Sequence, residues 1–244
     1  MSEPDEKVIY PNPMVQLVSA SVYFDRPLSA AKEHADVLRQ VLAADFNVEI
    51  PKDRDEVDPI FEATNGASLL AVWEESLMMM TASYESWETL RDVAATAYDA
   101  VAQERSAMEA SLWYLNEIRL DGGGKIEDWP KYTGLPIGAP GLELGNATGA
   151  SGSVVLCPGE GRHLVVEWAH TSRPGVSPEM PLGEFYEPPE GPVLAIELTA
   201  TSGQLDEVER NIVFEELDEL HYSVKAAFES VLTDDGIALM ESRS

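Results

Sequence analysis

His163, Glu167 and His170 have a spacing at which three side chains could bind a metal ion. They fall in a segment rich in β-branched and aromatic residues, which predicts a strand. Because side chains alternate between the two faces of a strand, His163 and Glu167 share one face and His170 lies on the other. The three groups do not converge without a bulge, so the sequence predicts neither a metal site nor a cofactor.

Cys157 is the only cysteine of the chain, which excludes an internal disulfide and indicates a reducing compartment. It would be a nucleophile if His163 or His221 lay beside it, but no pattern places a base there, and we expect a small buried thiol. The glycine-rich stretches 122–125 and 149–153 lack the spacing of a phosphate loop and of a nucleophile elbow, respectively. We therefore predict no catalytic residues.

His221 follows Leu220 on the apolar edge of the last predicted helix, and two interpretations of it remain open. In one, the imidazole is hydrogen-bonded at the boundary between helix and sheet. In the other, it meets the strand that ends near residue 120 across the interface between the two halves of the chain, and forms a pocket for a small ligand. The residues predicted for that ligand site are Tyr114, Asn116, Glu117, Arg119 and His221.

The chain is strongly acidic, because 44 of its 244 residues are Asp or Glu and only 16 are Lys or Arg, for a formal net charge of −28. Nucleic acids are bound by Lys and Arg that displace counterions, so this composition argues against direct nucleic-acid binding and favours a basic protein partner. The acidic side of the last helix is either a solvated face or the surface that binds this partner. The partner-binding residues predicted there are Glu215, Glu216, Asp218 and Glu219.

The elements that position these residues follow from periodicity and turn residues, in a chain whose 44% apolar content is that of a folded protein. Residues 1–120 predict strand, helix, strands, helix and a closing strand that carries bulky side chains on both faces, as central strands do. The dipeptide Asn65-Gly66 predicts a type I′ hairpin turn, and Ser86 predicts the cap of a helix that begins at Trp87.

Residues 121–152 are rich in Gly and Pro and predict a linker between two subdomains. Residues 153–244 predict a hairpin around 158–161, a strand from Val193 to Thr201 and one long amphipathic helix from about Leu205 to Leu232. The predicted fold class is α+β, with two subdomains whose antiparallel sheets are each backed by long amphipathic helices. Because in each half a run of strands is followed by such a helix, the halves are candidates for a distant internal repeat.

Short sequence patterns also suggest a family. Residues 112–118 have the sequence Leu-Trp-Tyr-Leu-Asn-Glu-Ile, and the tail carries Leu220-His221, Phe228-Glu229 and Thr233-Asp234. In these patterns the chain resembles the TIGR04255 family of sporadically distributed bacterial and phage proteins. Ser111 stands where that family usually has Gly, and Trp113 replaces its basic residue. The resemblance implies a two-part α+β fold and the patchy distribution of defence, immunity and mobile-element genes, but it implies no reaction.

Three functions remain open at this stage. The favoured one is a non-enzymatic acidic protein-interaction module, such as an immunity, antitoxin-like or phage-defence component that binds a basic protein. The others are a small-molecule-binding or sensing protein with a pocket between the halves, and a hydrolase or transferase that uses Cys157, His163 or His221. The N-terminus lacks the apolar core of a signal peptide and no apolar run is long enough for a membrane span, so we expect a cytoplasmic protein. A homodimer formed through apolar strand edges is a further expectation.

Overall fold

The computed structural model describes residues 14–27, 32–42, 46–49, 61–102, 105–120, 123–137, 150–172, 175–177, 179–205 and 210–241. The strands in these ranges are β1 (Val15–Phe24), β2 (Asn47–Glu49), β3 (Phe61–Thr64), β4 (Ser68–Val72), β5 (Ser76–Thr81), β6 (Ala107–Ile118), β7 (Ser151–Gly159), β8 (Arg162–Thr171) and β9 (Val193–Thr201). The helices are α1 (Lys32–Val41), α2 (Trp87–Val101), α3 (Arg210–Val231) and α4 (Asp234–Glu241).

The described strands form one sheet in the order β2-β3-β4-β5-β1-β6-β9-β8-β7, and every pairing is antiparallel. This confirms the α+β class and corrects the expectation of two separate sheets. The two halves of the chain are joined through β6, which pairs with β1 along one edge and with β9 along the other. Because both edges of β6 are paired, its backbone groups are satisfied in the middle of a continuous sheet.

The first three helices pack on one face of this sheet, which we call the helix face. The main hydrophobic core lies there and includes Leu38 of α1, Leu90 of α2 and Phe214 of α3. The opposite face carries a smaller cluster around Leu17, Leu115 and the adjoining residues Met80, Val176 and Ala195. The prediction that β6 is covered on both faces is therefore confirmed.

Local sequence signals explain where the elements of the first half begin and turn. The Ser86 hydroxyl accepts a hydrogen bond from the Thr89 amide (3.2 Å) and caps α2, as predicted. The predicted hairpin between β3 and β4 is present, but its turn is not type I′. A type I′ turn needs a positive φ at both central residues. Gly66 has a φ of +91°, but Asn65 has a negative φ, since the only non-glycine residue with positive φ in the described ranges is Leu182. The Asn65 side-chain oxygen instead accepts a hydrogen bond from the Ser68 amide (2.8 Å).

The long helix predicted from about Leu205 to Leu232 is α3, which begins at Arg210 and ends at Val231, and the short helix α4 that follows it was not predicted. After α3, Leu232 forms an isolated antiparallel β-bridge with Thr133. The Thr233 hydroxyl then accepts a hydrogen bond from the Gly236 amide (3.2 Å) and caps the start of α4. Leu205 is not helical, because its amide bonds to the Met108 carbonyl (2.6 Å) at the end of the sheet. The acidic N-terminus and residues 138–149 of the predicted linker lie outside the described residues.

Candidate functional site

Two residues of the predicted ligand site, Tyr114 and His221, lie together on the helix face. Tyr114 projects from β6, and its hydroxyl is 3.0 Å from Nδ1 of His221 on α3. Tyr84 extends this series of hydrogen bonds, since its hydroxyl lies 3.5 Å from that of Tyr114. The Trp87 ring stacks on the imidazole with centroids 5.0 Å apart and an interplanar angle of 8°. The imidazole is thus hydrogen-bonded at the boundary between helix and sheet, as the first interpretation expected, and its partner Tyr114 is one that the second interpretation named. The sequence analysis missed the two aromatic residues around this contact.

Burial sets the electrostatics of this cluster. It lowers the pKa of His221 to about 4, and Lys225 adds to the shift while Glu88 and Asp218 oppose it. Burial also raises the pKa of Tyr114 well above its ordinary value. Both groups are thus uncharged at neutral pH, and the pair is suited to hydrogen bonding rather than to proton transfer.

The other polar residues predicted for this site are divided between the two faces of the sheet. Asn116 lies on the helix face, two residues along β6 from Tyr114, where it is buried and donates to the Ile196 carbonyl (3.4 Å). Glu117 and Arg119 form an ion pair (2.8 Å) that belongs to the opposite face of the sheet. Because neighbouring residues of β6 point to different faces, the sheet separates this ion pair from Tyr114, Asn116 and His221.

Glu117 anchors a loop over the opposite face. Its carboxylate is fully buried and accepts hydrogen bonds from the Tyr186 hydroxyl (2.9 Å) and from the Gly175 amide (3.2 Å). A Cβ at position 175 would lie 2.7 Å from the carboxylate, so only glycine allows this approach. Burial and the bond to Glu117 raise the pKa of Tyr186 above its ordinary value. Because every contact of the carboxylate is made within the chain, Glu117 is a structural anchor here.

The acidic residues predicted on α3 are mostly engaged within the chain. Arg162 of β8 pairs with both carboxylate oxygens of Glu216 at 2.6 Å and approaches Glu219 at 3.5 Å. Asp218 accepts the Trp87 indole N–H at 2.7 Å, and the Arg91 guanidinium lies 2.8 Å away. The remaining member of the set, Glu215, is exposed. These bonds tie α3 to α2 and to the sheet.

A groove of roughly 400 Å³ lies across β7, β8 and β9. Its small residues leave room beside two carboxylates, Glu167 and Glu197. Glu167 and Glu197 are paired directly across β8 and β9, and Glu197 is in turn paired with Leu115 of β6. Both glutamates therefore lie on the same face as Leu115, the face away from the helices. The residues that line the groove are Ser151, Gly152, Ser153, Glu167, Trp168, Ala169, Ala195 and Glu197.

Among the described residues, no cation compensates the two glutamates of the groove. The only described side-chain donor to either is the Trp113 indole, which lies 3.3 Å from Glu197, and no described Lys or Arg pairs with them. Like charges directly opposite on adjacent strands destabilise a sheet. The groove thus holds two negative charges that no described cation offsets.

Cys157 is exposed, which corrects the expectation of a buried thiol. It lies on β7, the last strand of the sheet, where neither face is covered. Its sulfur is 3.9 Å from Nδ1 of His163, and both side chains are solvent-exposed. No other described side chain hydrogen-bonds to His163, so the orienting third group of a nucleophilic set is missing from the described part of the chain.

The metal-like spacing of His163, Glu167 and His170 is not realised as a cluster. His170 lies on the helix face, with its ring 5.7 Å from that of Trp129 and Nε2 3.2 Å from the Gly124 carbonyl. Across the residues that the structure describes, no three His, Cys, Asp or Glu side chains gather as a metal site would require.

Comparison of the sequence with protein-family models finds no matching family, and comparison with curated proteins finds no match. The resemblance to the bacterial and phage family stays a prediction. None of the helices in the described ranges combines the length and the apolar composition of a membrane-spanning segment.

Proposed function

We propose that this protein is a non-enzymatic acidic interaction module that binds a basic protein partner, in the manner of an immunity, antitoxin-like or phage-defence component. The observation that carries this proposal is the uncompensated pair Glu167 and Glu197 in the groove across β7, β8 and β9. A partner Lys or Arg would lie over the small residues of the groove and place its charge between the two carboxylates.

The groove supports this function better than the acidic side of α3. Glu216, Asp218 and Glu219 already have cationic or hydrogen-bonding partners within the chain, so a basic partner would have to displace those partners. Glu167 is exposed and needs no such exchange. The net charge of −28 would speed the approach of a basic protein, and the groove would determine where it binds.

The test compares three forms of the protein as baits in a lysate of its native host. They are the unmodified protein, the double variant E167Q/E197Q and the control E127Q/E184Q, which removes two exposed charges outside the groove. We expect a basic protein to be retained by the unmodified protein and the control at about 50 mM salt and released at about 0.3 M. The groove variant should retain at least about tenfold less, the loss expected for a buried charge contact.

A second measurement needs no partner. Because Glu167 and Glu197 repel each other, E167Q should raise the free energy of unfolding by about 0.2–1 kcal/mol while it weakens binding. The proposal fails if no basic protein is retained, or if the groove variant retains it as well as the control does.

The order of the strands supports two related halves joined in this module. On either side of the β1–β6 pairing the sheet continues as β5-β4-β3 and as β9-β8-β7, and each three-stranded meander is followed by a helix, α2 or α3. We propose that the halves are a distant internal repeat related by an approximate two-fold axis between β1 and β6, with β2 as an addition to the first half. Membership of the bacterial and phage family and a cytoplasmic location belong to the same proposal.

A second candidate function, binding of a small molecule, is favoured by a groove of roughly 290 Å³ at the start of α2. Tyr84 lines this groove and connects it to Tyr114 and His221 by hydrogen bonding. All of its lining residues belong to the N-terminal half, not to an interface between halves. A thermal-shift screen of nucleotides and metabolites would test it, with binding expected to stabilise the protein and Y84F expected to reduce the effect. A panel without any stabilising compound would count against this function.

A further inference from the structure

The sheet formed by the described strands ends on one side at β7, a long strand. β7 contains nine residues, and among the described strands it pairs only with β8. At about 3.3 Å per residue, it presents an edge about 30 Å long, whose outer backbone N–H and C=O groups no described strand pairs and in which Pro158 alone has no N–H. Its side chains are also open to solvent on both faces, since Val154, Val155 and Leu156 have exposed fractions of 40%, 62% and 42%.

The other end of the sheet is protected in the ways that soluble proteins use. β2 is only three residues long and carries Glu49. The Arg39 guanidinium of α1 donates to the carbonyl of Val48, at 3.3 Å. Short length, charge and a covering helix all oppose pairing with another strand. None of these features is present at β7.

The charge distribution identifies the occupant of the β7 edge. From Ser151 to Gly159 there is no charged residue, in a chain with a net charge of −28. Two copies of such an anionic molecule repel each other except where their contacting surfaces are neutral. A basic partner strand, in contrast, would find no carboxylate within β7 itself.

We propose that two copies of this chain pair antiparallel through β7, so that two nine-stranded sheets become one continuous sheet across a two-fold axis. Val154 and Leu156 lie beside the buried Val166 and Leu164 of β8, so pairing extends the helix-face core across the interface. The second copy lies in the plane of the sheet. The groove with Glu167 and Glu197 therefore stays open, and the dimer is independent of the proposed function.

The size of the edge sets the strength of the dimer. A strand edge about 30 Å long in a sheet about 10 Å thick gives an interface of roughly 300 Å² per copy, which is smaller than that of stable specific complexes and typical of weak, transient ones. We expect a dissociation constant in the micromolar range and a dimer that becomes more abundant as salt screens the repulsion between the two anionic copies. This salt dependence is opposite in sign to that of binding a basic partner, so the two proposals fail independently.

The experiment is sedimentation velocity of the full chain from about 1 to 200 µM, at about 50 mM and 0.5 M salt. The variants are V155E, which places two like charges at the proposed interface, and V41E, which makes the same change at an exposed valine of α1 near the other end of the sheet. We expect dimers for the unmodified protein and V41E, more of them at the higher salt, and monomers for V155E at all concentrations. Circular dichroism would verify that V155E is folded.

Amide hydrogen exchange locates the contact. Dimerisation should slow exchange in β7 at high protein concentration and leave β2 unchanged. A monomer at about 200 µM in both salts, or a V155E dimer as strong as that of the unmodified protein, would overturn the proposal. A dimer with unchanged exchange in β7 would do so as well.

Discussion

At the scale of single residues, burial decides which side chains remain available for chemistry. His221 and Tyr114 are uncharged in their cluster, Glu117 is saturated with hydrogen bonds, and Cys157 is exposed on an edge strand. The contact between His221 and Tyr114 belonged to one of the two interpretations that the sequence left open, and it could be considered because both residues belong to elements that face one core. It could not predict the burial of Glu117, which depends on a loop far along the chain that folds back over β6.

The pKa of His221 makes a prediction for stability. Its folded-state pKa of about 4 lies below the ordinary value of 6.5, so the unfolded chain binds a proton first as pH falls. The neutral imidazole thus contributes full stability above pH 6.5, and this contribution declines between pH 6.5 and about 4, by up to about 3 kcal/mol. H221F keeps a ring against Trp87 but does not titrate.

The measurement is urea unfolding of the unmodified protein and H221F at several pH values from 7 to 4. Other acidic groups titrate in both proteins, so the difference between the two curves isolates His221. We expect the unmodified protein to lose stability more steeply than H221F. Parallel curves would show that His221 is protonated equally well in the folded and unfolded chains.

At the scale of elements, most of the fold could be predicted from the sequence because periodicity and turn residues are local signals. β9 has the bounds predicted for it, and α2 begins at Trp87 after the predicted cap. The end of α3 at Val231 lies within one residue of the predicted end at Leu232. The helix α4 was not predicted, since it has only eight residues and follows the pairing of Leu232 with Thr133 about a hundred residues earlier.

Strand register explains why the candidate groove was missed. β8 and β9 were both predicted, but they are joined by a long connection, residues 172–192. A short hairpin turn would have fixed the register between the two strands, and a long connection does not. A shift of one residue would move Glu197 to the other face of the sheet. Only the paired strands place it opposite Glu167. The site therefore became visible through tertiary structure, although both of its glutamates were in correctly predicted strands. Ser151 and Gly152, which also line the groove, belong to β7 and not to the linker predicted for residues 121–152.

At the scale of the whole molecule, the excess of carboxylates opposes folding as well as association. Several of the few cations are held in ion pairs on the surface, such as Arg39 with Asp36 and Arg210 with Asp99. Exposed pairs of this kind contribute little individually. The net charge of −28 is therefore expected to dominate, and repulsion among carboxylates favours the expanded, unfolded chain.

Salt should consequently stabilise this protein. Raising sodium chloride from about 10 mM to 0.1 M shortens the screening length from about 30 Å to about 10 Å, which weakens repulsion across the molecule more than it weakens contacts at hydrogen-bond distance. We expect the free energy of unfolding to rise by roughly 1 kcal/mol or more, and the melting temperature to rise by about 2–4 °C per kcal/mol.

Thermal unfolding at a low protein concentration, where the dimer is absent, measures this effect without a contribution from association. Equal concentrations of sodium and potassium chloride should act alike, because screening depends on ionic strength and not on the identity of the cation. A melting temperature that falls with salt would show that the surface ion pairs outweigh the repulsion among carboxylates. The negative charges would then stabilise the fold through their ion pairs. The net charge would have no cost in stability, and such a cost could not be used to infer that the charge serves to bind a basic partner.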